Sequence, residues 1–170
     1  MQNNVVQALV EELGQGHATL RFNFRGTGRS SGKHGDGIGE LEDVAAAVDL
    51  IARSVGRVSV AGYSFGAAVG MRAGMDDPRV VALAGVALPV SMMDGTFLAR
   101  CTKPKILVAG DADEIGPVTV LERIFGTIPE PREMRVVPGA DHFFLGLESE
   151  AARAVSEFLG RSMARVRTAR

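Results

Sequence analysis

Four short, almost unbroken apolar runs, separated by stretches of helical periodicity, constrain this chain more than any other feature. Residues 58–61, 80–88, 106–109 and, more weakly, 134–137 read as strands. A strand that is apolar at nearly every position, as in 80–88, is buried on both faces. Between these runs the spacing changes. Val5, Val6, Leu9 and Leu13 form a helical stripe that Gly14 stops. Ile38, Leu41, Val44, Val48 and Ile51 form a longer stripe, with Glu40, Glu42, Asp43 and Asp49 off it. Helices are also expected over 64–73, after Pro117, and where Leu147, Ala151, Val155, Phe158 and Leu159 point inward. One more strand is expected over 18–24, where Ala18, Leu20, Phe22 and Phe24 alternate with Thr19, Arg21 and Asn23. Strands alternating with helices need crossover connections. The expected fold class is therefore α/β, a mostly parallel sheet with helices on both faces.

The 170 residues suffice for one such unit, expected over 1–160. The remainder, 161–170, carries four arginines and reads as a basic, solvated tail. Nineteen Lys and Arg against twenty Asp and Glu give a net charge of −1, so no electrostatic footprint for nucleic acid or an anionic membrane exists. No apolar run approaches the roughly 18 residues of a membrane span. Met1-Gln2-Asn3-Asn4 has neither the basic nor the apolar region of a secretory signal, so the expected location is cytoplasmic. With Cys101 alone, no internal disulfide and no cysteine-built zinc site can form.

In an open parallel sheet, functional residues collect just beyond the carboxyl ends of the strands. Three such ends carry candidates. Gly62-Tyr63-Ser64-Phe65-Gly66 follows one strand and opens a helix. In that setting a G-x-S-x-G forms a sharp nucleophile elbow, with glycines two residues either side of the serine to avoid collision. The Ser64 hydroxyl would stand above the sheet, and the Phe65 N–H could serve an oxyanion hole. Gly110-Asp111-Ala112-Asp113-Glu114 follows the next candidate strand end, and any of its three carboxylates could orient a histidine or simply cap a turn. Gly139-Ala140-Asp141-His142 follows the last strand and places His142 as a general base. His17 and His34 have no comparable context.

The order serine, acid, histidine at successive strand ends is that of the α/β-hydrolases. The chain resembles that family, and in particular its small bacterial members with little or no cap domain. The resemblance rests on Arg21-Phe22-Asn23-Phe24-Arg25-Gly26-Thr27-Gly28-Arg29-Ser30, Gly37-Ile38-Gly39-Glu40-Leu41-Glu42-Asp43, the elbow, and Pro138-Gly139-Ala140-Asp141-His142-Phe143-Phe144. It implies Ser64, Asp113 and His142 as a catalytic triad, since the family's acid falls three residues after the glycine of its G-x-x-D. It implies a serine esterase acting on a small-molecule ester or related acyl substrate, without cofactor or metal. Relative to the family the chain looks N-terminally incomplete. The strand that lies between the family's fourth and fifth, and the H-P-H-P loop that supplies a second oxyanion N–H, have no counterpart here. The expectation is a fragment of a longer product, poorly soluble or homo-oligomeric on its own.

Other readings account for fewer residues. Gly26-Thr27-Gly28 suggests a nucleotide loop, but the next glycine, Gly32, is four residues on and no helix start follows it. Asp111, Asp113, Asp141 and His142 could in principle hold an oxygen-loving cation. The stronger rival is a non-catalytic member of the same fold acting as an interaction module.

Overall fold

The computed structural model describes residues 3–168. Its elements are α1 (Asn4–Gly14), α2 (Glu40–Val55), β1 (Val58–Tyr63), α3 (Phe65–Gly74), β2 (Val80–Val86), β3 (Lys105–Gly110), α4 (Val118–Phe125), β4 (Arg132–Val137) and α5 (Glu148–Thr168), with a 3₁₀ turn at Thr96–Arg100. The four strands form one parallel sheet in the order β1-β2-β3-β4. Every carboxyl end therefore lies along the same edge, which is what brings the candidate loops together. Helices cover both faces, as the alternating periodicity requires. On one side α2, α3 and α4 contribute Val44, Val48, Ala67, Met71 and Leu121 to a core under Leu83 and Leu107. On the other, Val5 and Leu9 of α1 meet Ala151, Val155 and Phe158 of α5 over Ala84, Val86 and Ile106.

The central strands are buried at almost every position, and β1 is half-buried, because β1 ends the sheet. Hydrogen bonding alternates along a parallel strand, and Ser64 N–H bonds the Val86 carbonyl at 2.8 Å. Val60 and Gly62 therefore face β2, while Ser59, Ala61 and Tyr63 turn their backbone groups to the open edge. The segment 18–24 keeps its alternating pattern but forms no strand, contrary to the sequence expectation. Alternation makes a segment competent for a sheet; a ladder of partners makes it a strand, and among the described residues no partner strand adjoins this segment. Leu20 and Phe22 are accordingly exposed, and Phe24 packs edge-on against Phe65, with centroids 5.5 Å apart.

Residues 161–168 differ from the tail expected there. They continue α5 as helix through Thr168, with Arg161 paired to Glu133 at 2.8 and 3.0 Å and Ser162 buried. Residues 169–170 lie outside the described residues.

Candidate active site

At the end of β1 the chain turns directly into α3, and Ser64 occupies the turn at φ +51°, ψ −121°. That conformation costs a non-glycine residue about 1–3 kcal/mol and persists only where the surroundings impose it. Here they do: the Ser64 N–H is held by Val86 and its carbonyl accepts from the N–H groups of Ala67 (2.9 Å) and Ala68 (3.2 Å). A Cβ on Gly62 would lie 2.2 Å from the Gly66 carbonyl oxygen, so only glycine fits. A Cβ on Gly66 would meet only the Phe24 ring at 3.7 Å, an ordinary contact. The collision expected on both sides of the serine therefore exists at Gly62 alone. In the first turn of α3 the helix offers no acceptor to the Phe65 N–H.

His142 and Asp113 come to the serine on the loops after β4 and β3. Those loops touch: a Cβ on Gly110 would fall 2.1 Å from the Ala140 carbonyl oxygen. His142 Nε2 lies 2.8 Å from Ser64 Oγ, and its Nδ1 lies 2.9 and 3.0 Å from the two Asp113 oxygens. Asp113 is 3% exposed and His142 6%. Asp113 Oδ1 also accepts the N–H groups of Ile115 (2.8 Å) and Gly116 (2.7 Å), which fixes the carboxylate plane. A carboxylate against Nδ1 requires the imidazole proton there, leaving the Nε2 lone pair for the serine hydroxyl.

Of the three acids in that loop, Asp113 is the one placed against the His142 ring. Asp111 is exposed and accepts the Gly139 N–H at 2.6 Å, so it ties the acid loop to the histidine loop. Glu114 is exposed. Asp141 accepts the Phe143 N–H at 2.9 Å. Asp111, Asp113 and Asp141 thus each serve separate groups. Among the described residues no three His, Cys, Asp or Glu side chains converge as metal ligands would.

Several supporting contacts join residues of the quoted motifs. The Tyr63 hydroxyl donates to the His142 carbonyl at 3.0 Å. Phe144, buried completely at φ +55°, anchors the histidine loop in the α1–α5 core. Arg25 joins two of the motifs noted above: its backbone N–H and guanidinium bond Asp43 at 2.8–3.0 Å, and its guanidinium reaches Glu42 at 3.0 Å. The Arg25 side-chain hydrogen bond holds the Asp43 carboxyl below its ordinary range. The buried Glu40 accepts the N–H groups of Gly35 (2.8 Å) and Gly37 (2.9 Å) and faces His34 Nδ1 at 2.8 Å. His34 in turn rests on the Phe65 ring at 5.0 Å between centroids. Gly26 and Gly28 sit at positive φ within turns, and the next helix begins only at Glu40, so no helix N-terminus faces that loop.

Known proteins share this fold. Residues 4–112 match the Alpha/beta hydrolase family. An uncharacterized protein of Rickettsia prowazekii (strain Madrid E) is 30% identical over 171 residues, spanning 94% of this chain and 72% of the relative. The structure of an alpha-beta serine hydrolase homologue from Coxiella burnetii is 34% identical, with a TM-score of 0.85 over 92% of this chain and 76% of its own. An a/b serine hydrolase without lid from Xanthomonas campestris is 28% identical, also at 0.85, over 95% of this chain and 74% of its own.

Proposed function

This chain belongs to the alpha/beta hydrolase family, and from that premise we propose that Ser64, His142 and Asp113 are the catalytic triad of an esterase-like serine hydrolase. One observation carries the reading: an unbroken hydrogen-bond chain from Ser64 Oγ through His142 to a buried Asp113. Ser64 Oγ attacks the acyl carbonyl while His142 Nε2 takes its proton. Asp113 stabilises the imidazolium without itself accepting the proton. The negative charge on the tetrahedral oxygen falls to the Phe65 N–H. His142 then returns the proton to the departing alkoxide, and an acyl-Ser64 remains. Water, deprotonated by His142, attacks that ester and restores the serine.

A fluorophosphonate probe tests the assignment, because only an activated serine reacts. Labelling should fall on Ser64 and vanish in Ser64→Ala and His142→Ala. Hydrolysis of p-nitrophenyl acetate should fall by about 10⁴ in each variant, and the double variant should be little worse. Absence of labelling in a folded wild-type protein would favour the interaction-module reading instead.

A further inference from the structure

We propose that Tyr63 is a positioning residue for the base: its phenol holds the His142 backbone, and through it Nε2, where proton transfer from Ser64 needs it. The proposal rests on Ser64 as nucleophile. Tyr63 is the last residue of β1 and the covalent neighbour of Ser64. Its hydroxyl donates to the His142 carbonyl at 3.0 Å. Its ring lies 5.6 Å from the imidazole, centroid to centroid, tilted by 42°. The strand end that carries the nucleophile therefore also grips the residue that deprotonates it.

The grip is stiff at each joint. Tyr63 ends the β1–β2 ladder opposite Val86, and the next N–H, that of Ser64, bonds the Val86 carbonyl at 2.8 Å. The Tyr63 side chain packs against the α1–α5 core, the same core that buries Phe144 of the histidine loop. Tyrosine turns about two side-chain torsions, so with its ring packed the hydroxyl has little travel. Asp113 and Ser64 hold the two ring nitrogens of His142, at 2.9 and 2.8 Å. Those bonds fix where the ring points, and the Tyr63 bond fixes where its backbone sits. The neighbouring Phe143 carbonyl is held by Asn4 Nδ2 at 3.1 Å, but that contact is exposed. Burial first, and then the Asp113 charge, hold the Tyr63 phenol above its ordinary pKa, opposed by a hydrogen bond with the Asn3 side chain. The hydroxyl therefore stays a donor throughout the range in which a histidine base titrates.

Tyr63→Phe tests this, because it removes the hydroxyl and keeps the packed ring. A displacement of about 1 Å at a reacting centre can cost on the order of 10²-fold. With the two ring-nitrogen anchors left in place, kcat for p-nitrophenyl acetate should fall about tenfold while KM is unchanged. A residue that only fills the core would lower the melting temperature and leave kcat of the folded variant as it was. The second readout needs no turnover: the nitrogen NMR signal of His142 Nε2, with Ser64→Ala marking its position once the serine hydroxyl is lost. In Tyr63→Phe that signal should move toward the Ser64→Ala position. Either an unmoved Nε2 signal or, in an active protein, an unchanged kcat overturns the proposal. If wild type turns over no ester and takes no fluorophosphonate probe, the hydrolase reading falls by itself. The Nε2 signal then decides alone: a shift in Tyr63→Phe supports the positioning role, and none removes it.

Discussion

Asp113→Asn isolates what the buried acid does, because the new side chain has the same shape and can be oriented from its neighbours. Asp113 Oδ1 accepts two backbone N–H groups, from Ile115 and Gly116, at 2.8 and 2.7 Å. The amide oxygen must stay there. Turning the NH₂ group toward those donors would lose two buried hydrogen bonds, at about 1–3 kcal/mol each. The NH₂ group therefore takes the Oδ2 position, 2.9 Å from His142 Nδ1; Oδ1 stays 3.0 Å from that nitrogen but is occupied by its two backbone donors, so the NH₂ donates to Nδ1 and the imidazole proton moves to Nε2. Nε2 then donates to Ser64 Oγ and can no longer take its proton. In the serine-protease triad the same replacement lowers kcat about 10⁴-fold, equivalent to roughly 5 kcal/mol of transition-state stabilisation. We expect a loss of that order in p-nitrophenyl acetate hydrolysis, with a cooperative melt retained. Nitrogen NMR of labelled histidine should show the His142 proton changing ring position. A folded variant within tenfold of wild type would refute both the tautomer argument and the role of Asp113.

Other outcomes follow from single contacts. Gly62→Ala places a Cβ 2.2 Å from the Gly66 carbonyl oxygen, so the elbow must open; probe labelling of Ser64 should be lost, and retention of full labelling would show that the turn can relax. Glu40 is held below the ordinary carboxylate range first by the Gly35 N–H, with Gly37 and His34 adding to it and desolvation opposing. Its contribution to stability is therefore present above the unfolded value of about 4.3 and lost as pH falls below it toward the folded value. The melting-temperature advantage of wild type over Glu40→Gln should shrink on acidification through that range, and a constant gap would argue against it. At the open edge of β1, the outward N–H and C=O groups of Ser59, Ala61 and Tyr63 form a template for strand pairing. Light scattering on these 170 residues should show concentration-dependent association; a monomer at every concentration would mean the edge is covered some other way.

The sequence by itself determined the kind of element at most positions and the existence of an elbow. Apolar runs at 80–88 and 106–109 can be satisfied only inside a sheet, and Gly62-Tyr63-Ser64 directly after a strand has few conformations open to it. These are local properties, fixed by side-chain period and backbone sterics. Convergence is not local. Asp111, Asp113 and Glu114 stand within four residues of one another, and only the fold turns Asp113 inward onto His142 while spending Asp111 on the Gly139 N–H. Leu20 and Phe22 show the converse: a strand pattern without a partner strand forms no strand. A strand, like a triad, is a relation between distant segments, and the hydrogen bonds that define it are settled by what the tertiary structure sets alongside.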